Sequence, residues 1–178
     1  LKMPSRLLVV IFLLFAAACS KPEVTSVDTG YFNAEAYFSN EAARLAKKGP
    51  MLKISNWKGA LDSTLVTITD WKKELEPFTR CAIHRSSMRN SYKVDTIPGA
   101  ENVHIIYTAL ERLPVQRLEV WKHGENTQRF LAVTGDTNMV FGLYRQLEYV
   151  ADSGYLIVGR QEMKMMAPAD YSIRLSWR

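Results

Sequence analysis

Three patterns of apolar and polar positions follow one another along this chain. The first is unbroken, since every residue from Leu7 to Ala18 is apolar. The second has helical spacing: Ala34, Phe38, Ala42 and Leu45 share one face of a helix, and Lys47-Lys48-Gly49-Pro50 ends it. Cations suit the negative end of the helix dipole, glycine terminates the turn, and proline cannot continue it. The third pattern alternates. Tyr171, Ile173, Leu175 and Trp177 fall on one face of a strand, with Ser172, Arg174, Ser176 and Arg178 on the other. Met139, Phe141, Leu143, Leu147 and Tyr149 alternate in the same way, interrupted by Arg145. One apolar and one polar face is the mark of a half-buried antiparallel strand.

Between these regions, Met51 to Trp57 and Ser63 to Ile68 are rich in β-branched residues around Lys58-Gly59-Ala60-Leu61-Asp62, which predicts a hairpin. Thr69 or Asp70 can cap a short second helix, Asp70 to about Phe78, with Trp71, Leu75 and Phe78 on one side and Pro77 limiting its regularity. From Ser91 onward, breaks are expected at Pro98-Gly99, Leu113-Pro114, Gly124-Glu125-Asn126, Gly135-Asp136, Asp152-Ser153-Gly154 and Ala167-Pro168. Connections this short make neighbouring strands antiparallel. The predicted fold class is α+β: an antiparallel meander of about seven strands, with the N-terminal helix, the hairpin and the second helix packed on one face. Nothing in the composition from Tyr31 to Arg178 calls for a second domain.

The unbroken run has a different meaning. Lys2 and Arg6 precede it, giving the charged start and apolar centre of an export signal. Twelve apolar residues make a helix of about 18 Å, too short for a hydrocarbon core of about 30 Å. The run ends in Ala16-Ala17-Ala18-Cys19, and here the chain resembles a bacterial lipoprotein, in which small residues precede a cysteine that is lipidated. That resemblance implies a signal peptide over 1–18, a lipidated N-terminus and flexible tether over 19–30, and a single domain over 31–178. It implies acyl chains on Cys19 that anchor the protein to a membrane. Ser20, in place of Asp, implies by the same resemblance the outer membrane, on its periplasmic or surface side. Ala16-x-Ala18 also suits the signal peptidase of soluble exported proteins. In that case Cys19 and Cys81 could pair as a disulfide; with Cys19 lipidated, Cys81 is a buried thiol, an intermolecular partner or a reactive group. A helix-plus-meander lipoprotein is also broadly similar to lipoprotein carriers with an open half-barrel and to small envelope lipoproteins of unassigned role.

Composition is then less informative than it first looks. The full chain has 178 residues, 47% apolar and 23% charged, with a formal net charge of +5. Lys2 and Arg6 lie in the leader, so the mature balance is 21 basic to 18 acidic residues. Near neutrality and export argue against nucleic acid as a partner.

The motifs with chemical potential are sparse. Asp28-Thr29-Gly30 matches the aspartic-protease triplet but has no second copy. Cys81 and His84 are spaced for one helical turn, yet His104 and His123 fall in other predicted strands, so a zinc set is incomplete. Met163, Met165 and Met166 could suit a soft metal, but on a strand they do not share one side, and core packing is the expectation. No cofactor and no metal are expected. Arg80, Arg85, Arg89 and Lys93, with His84, form the densest basic stretch, a solvated loop or a contact for anionic lipid or a protein partner. The reading these features support is a non-enzymatic, outer-membrane-anchored binding or structural module whose partner is an envelope protein or glycan. A carrier of a lipid or other apolar ligand, and a hydrolase of unrecognised type, are the alternatives.

Overall fold

The structure, a computed structural model, describes residues 30–177. The predicted leader, Cys19 and nearly all of the tether lie outside them. Helix α1 spans Ala34–Leu45, and the Asn33 side chain caps it by accepting from the Ala36 N–H at 2.9 Å. Strands β1 (Met51–Trp57) and β2 (Ala60–Val66) form a hairpin. Two single turns follow, α2 (Trp71–Glu74) and α3 (Glu76–Thr79). The rest is strand: β3 (Tyr92–Pro98), β4 (Asn102–Ala109), β5 (Val115–His123), β6 (Asn126–Thr137), β7 (Phe141–Val150), β8 (Gly154–Met163) and β9 (Met166–Ser176). These make one antiparallel sheet in the order β2-β1-β9-β8-β7-β6-β5-β4-β3.

The seven-strand meander is present as β3 to β9, and the sheet nevertheless has nine strands. The hairpin was expected on the face of the meander; instead β1 pairs with β9 and extends the sheet. Pairing with β1 satisfies the backbone groups of β9 and moves the sheet edge out to β2. The hairpin turn is also tighter than predicted. Lys58 (φ 51°) and Gly59 (φ 89°) form a two-residue turn with both centres left-handed, the geometry that matches strand twist. Gly135-Asp136 and Ala167-Pro168 are not breaks but lie inside β6 and β9. At Gly135 the chain makes a close approach instead of a turn: a Cβ there would fall 2.6 Å from Nε2 at the end of the Gln116 side chain. Ala167 and Pro168 sit at a bulge opposite Gln161 to Met163, a position that tolerates a missing N–H.

Register places Val120, Phe130, Tyr149, Tyr155 and Leu175 in one row across the inner face, and Leu118, Ala132, Leu147, Ile157 and Ile173 in the next. The helices pack on these two rows. Phe38 of α1 meets Phe78, Phe130 and Tyr149 at ring-centroid distances of 5.2, 5.0 and 5.1 Å. Trp177, just past β9, closes the end against Trp71 at 5.8 Å and Tyr149 at 5.6 Å. The edge-to-face pairs, Phe38 with Phe130 and Tyr149 and Trp71 with Trp177, add to the burial gained by each ring. The expected second helix is broken at Leu75, which caps both turns, yet Trp71, Leu75 and Phe78 are all buried as its pattern implied.

Two tyrosines fasten the helices to the sheet. The Tyr149 hydroxyl donates to buried Glu41 of α1, which also holds Arg44 at 2.7 Å. The Tyr155 hydroxyl donates to Glu74 of α2, which Lys53 of β1 also reaches at 2.7 Å. Burial, reinforced by these carboxylates, raises both phenols well above 10. The folded state therefore keeps their protons after the unfolded chain has released its own. The stability they contribute is intact below about pH 10 and shrinks as pH rises above it. Urea denaturation from pH 7 to 11 is expected to show a plateau to about pH 10 and a decline beyond, shallower in a Tyr149→Phe, Tyr155→Phe double variant. That variant is expected to lose about 1–3 kcal/mol at pH 7 with its two hydrogen bonds.

Candidate functional site

The helical layer does not reach across the whole inner face. Below its two covered rows, register sets Thr134, Arg145, Gly159, Tyr171 and Trp57 side by side on β6, β7, β8, β9 and β1. Below these come Leu143, Gln161 and Ala169, and at the rim Phe141, Met163 and Met166. Exposure is mixed along this sequence but highest at its far end: Phe130, Tyr149 and Leu147 are fully buried, Thr134, Gly159 and Ala169 are buried too, Arg145 and Tyr171 are half-buried, Trp57 is 49% exposed and Met166 62%. The uncovered half of the sheet is an apolar surface with one charge set into it.

That charge is Arg145. Its Nε is buried and has no hydrogen-bond partner, and no carboxylate pairs with its guanidinium among the described residues. Arg44, Arg80, Arg85, Arg117, Arg129 and Arg160 each hold a glutamate, and Arg89, Arg112 and Arg174, which hold none, are exposed where Arg145 is half-buried. Directly across from Arg145 on β6 is Thr134, 8% exposed, whose Oγ1 is likewise buried and unpartnered. On the other side lies Gly159, where a Cβ would fall 2.3 Å from the Tyr171 ring. The missing side chain lets that ring lie across β8 toward Arg145, and Trp57 continues the aromatic surface at 6.0 Å from Tyr171. Burial raises the Tyr171 phenol, and the Arg145 charge pulls the other way. Cys81, which follows α3, also feels that charge. Its thiol is 1% exposed, donates weakly to the Pro77 carbonyl at 3.5 Å, and is pushed up to about 12 by burial against the pull of Arg145. At neutral pH the groups around Arg145 are thus neutral.

The sequence-predicted candidates do not converge on this place. Cys19 lies outside the described residues, as do Asp28 and Thr29. In the basic stretch, Arg80 pairs with Glu76 at 2.6 Å, Arg85 with Glu35 at 2.6 Å and Lys93 with Asp95 at 3.0 Å, while Arg89 is exposed. Much of its positive field is therefore answered within the chain. Cys81 is buried, and His84 lies 3.9 Å from Glu35. The methionines are not core: Met139, Met163, Met165 and Met166 are 90%, 41%, 95% and 62% exposed around neighbouring hairpin tips. Met139 precedes β7, so alternation at that end of the strand stops at Phe141. No group of three or more His, Cys, Asp or Glu is placed to hold a metal among the described residues.

The outer face has a cluster of its own, but it is self-satisfied. His104 stacks on Trp121 at 4.2 Å and bonds Glu119 at 2.7 Å, while the Arg129 guanidinium covers Trp121 at 4.4 Å and pairs with Glu148 at 2.8 Å. No protein-family model, curated protein or solved structure matches the chain. No helix among the described residues is long and apolar enough to cross a membrane.

A protonated, buried thiol neither attacks nor ligates readily. Cys81 is expected to react with an aromatic disulfide reagent at pH 7.5 at least about 100-fold more slowly in the folded protein than in 8 M urea, with a rate set by opening of the fold. Reaction at the rate of an exposed thiol would place Cys81 outside the core.

Proposed function

We propose that this chain is a lipid-anchored lipoprotein of the outer membrane that serves as a non-enzymatic binding module of the cell envelope, using the uncovered half of its inner sheet face. The observation that supports binding is the contrast across that face. Two rows are closed by aromatic packing, and the next three hold exposed Trp57 and Met163 with half-buried Tyr171 and Phe141, without a covering helix among the described residues. Exposed apolar surface of this extent in one place marks interaction sites. Anchoring is supported by the sequence alone: the basic start, the apolar run from Leu7 to Ala18, and Cys19 after three alanines.

A carrier of an apolar ligand is the second reading, favoured by the same rows. Its ligand has no room between helices and sheet, where Phe38, Phe78, Phe130 and Tyr149 are in mutual contact. It must lie on the uncovered half. The hydrolase alternative has no supporting geometry at Arg145, where the neighbouring thiol and phenol are protonated and no carboxylate is paired to it.

Metabolic labelling with palmitate tests the anchor. Label is expected on the wild-type chain, which should fractionate with the outer membrane, and is expected to vanish in Cys19→Ala. Label that survives the substitution would overturn lipidation at this residue.

A further inference from the structure

We infer that Arg145 and Thr134 form an anion-binding subsite at the head of the uncovered surface, and that the ligand is an amphiphile with a single anionic head group, carboxylate or phosphate, on an apolar chain. The inference rests on the proposed binding role of that surface and names the chemistry it would recognise.

Two independent absences of a partner meet at one point. The Arg145 Nε is a buried donor with nothing to donate to, and the Thr134 Oγ1 is a buried hydroxyl with no partner. They stand directly opposite in the β6–β7 pairing, so both side chains emerge on the same face within reach of one small group. An unpartnered buried polar atom ordinarily costs about 1–3 kcal/mol, and a charge taken partly out of water costs more. Replacing either residue with an apolar one of similar size would remove that cost, so their presence is explained if something outside the chain completes the bonds. A carboxylate or phosphate oxygen does so: it accepts from the guanidinium in the paired geometry arginine favours, and it accepts from the threonine hydroxyl. A cation would be repelled by Arg145. A neutral apolar molecule would leave both groups unsatisfied.

The surroundings choose an amphiphile over a small ion. On one side Tyr171, lying across Gly159, and Trp57 offer aromatic surface; toward the rim Leu143, Phe141 and Met163 continue it. From Arg145 to Phe141 is four residues along β7, roughly 13 Å of strand, which matches about ten methylenes of an extended chain. The head group would meet the edge of the helical layer and the chain would run toward the methionine rim.

The test uses the full chain in its membrane, exposed to 12-carbon diazirine probes bearing a carboxylate, a phosphate or an alcohol, with crosslinked peptides mapped by mass spectrometry. Saturable labelling of β7 to β9 by at least one anionic probe, and weak labelling by the alcohol, is expected. Arg145→Gln should raise the half-saturating concentration of that probe about 10- to 100-fold, and Thr134→Val about three- to tenfold. Thr134→Val should also melt no lower than the parent, because it removes an unsatisfied hydroxyl; a simple loss of folding would lower both. Equal labelling of those strands by all three probes, unchanged in Arg145→Gln, would overturn the anion subsite and leave the binding surface standing. Absence of saturable labelling on those strands with every probe would overturn both.

Discussion

The helical layer of this protein is too small for the sheet it packs against. Nine strands spaced about 4.8 Å apart make a sheet close to 40 Å wide, and strands of ten to twelve residues run roughly 33–40 Å. Against this, α1 has twelve residues, about 18 Å, and α2 and α3 are single turns. Such a layer can dry two rows of inward side chains and no more. The dense aromatic core, the half-buried charge and the exposed rim all follow from where its coverage stops.

The limit of coverage also orders the polar groups. Where the helices meet the sheet, two buried phenols find carboxylates: Tyr149 has Glu41, and Tyr155 has Glu74. These bonds join elements far apart in the chain and hold the helices in register over their rows. One row further on, the polar groups are still partly removed from water but no helix supplies partners. Arg145 and Thr134 stand there with buried atoms unanswered. On the outer face, by contrast, exposed cations such as Arg117 and Arg129 are met by glutamates. Partly buried Glu41 and Glu74 have Arg44 and Lys53, whereas Arg145, also partly buried, has no carboxylate.

Much of the fold could be read from residue patterns because its determinants are local. The face of α1, the Asp70 cap, the alternation in β9 and the hairpin were visible for that reason, although α2 and α3 are separate turns. The joining of β1 to β9 was not visible, since pairing partners more than a hundred residues apart leave no local trace. Two glycine or proline signals misled because they served close approach and a bulge rather than turns. The site was the least legible part. Arg145 showed itself as an interruption in an apolar alternation, and that was its available signal; Thr134, Gly159, Tyr171 and Trp57 become its neighbours through the register of five strands. The basic stretch and the methionines drew attention by density, yet three of the four cations in that stretch are paired and the methionines are exposed at hairpin tips.

The central claim is that ligand is held on the uncovered half of the inner face while the helical layer stays shut. Nitrogen-15 spectra of the arginine Nε–H and tryptophan indole groups, recorded with and without a 12-carbon carboxylate, address it most directly. The account predicts that the Arg145 Nε–H and the Trp57 indole shift and become protected from exchange, while the Trp71 and Trp177 indoles in the closed core stay where they were. Movement of Trp71 and Trp177 with no change at Arg145 would contradict it, because the helices would then be opening over the core.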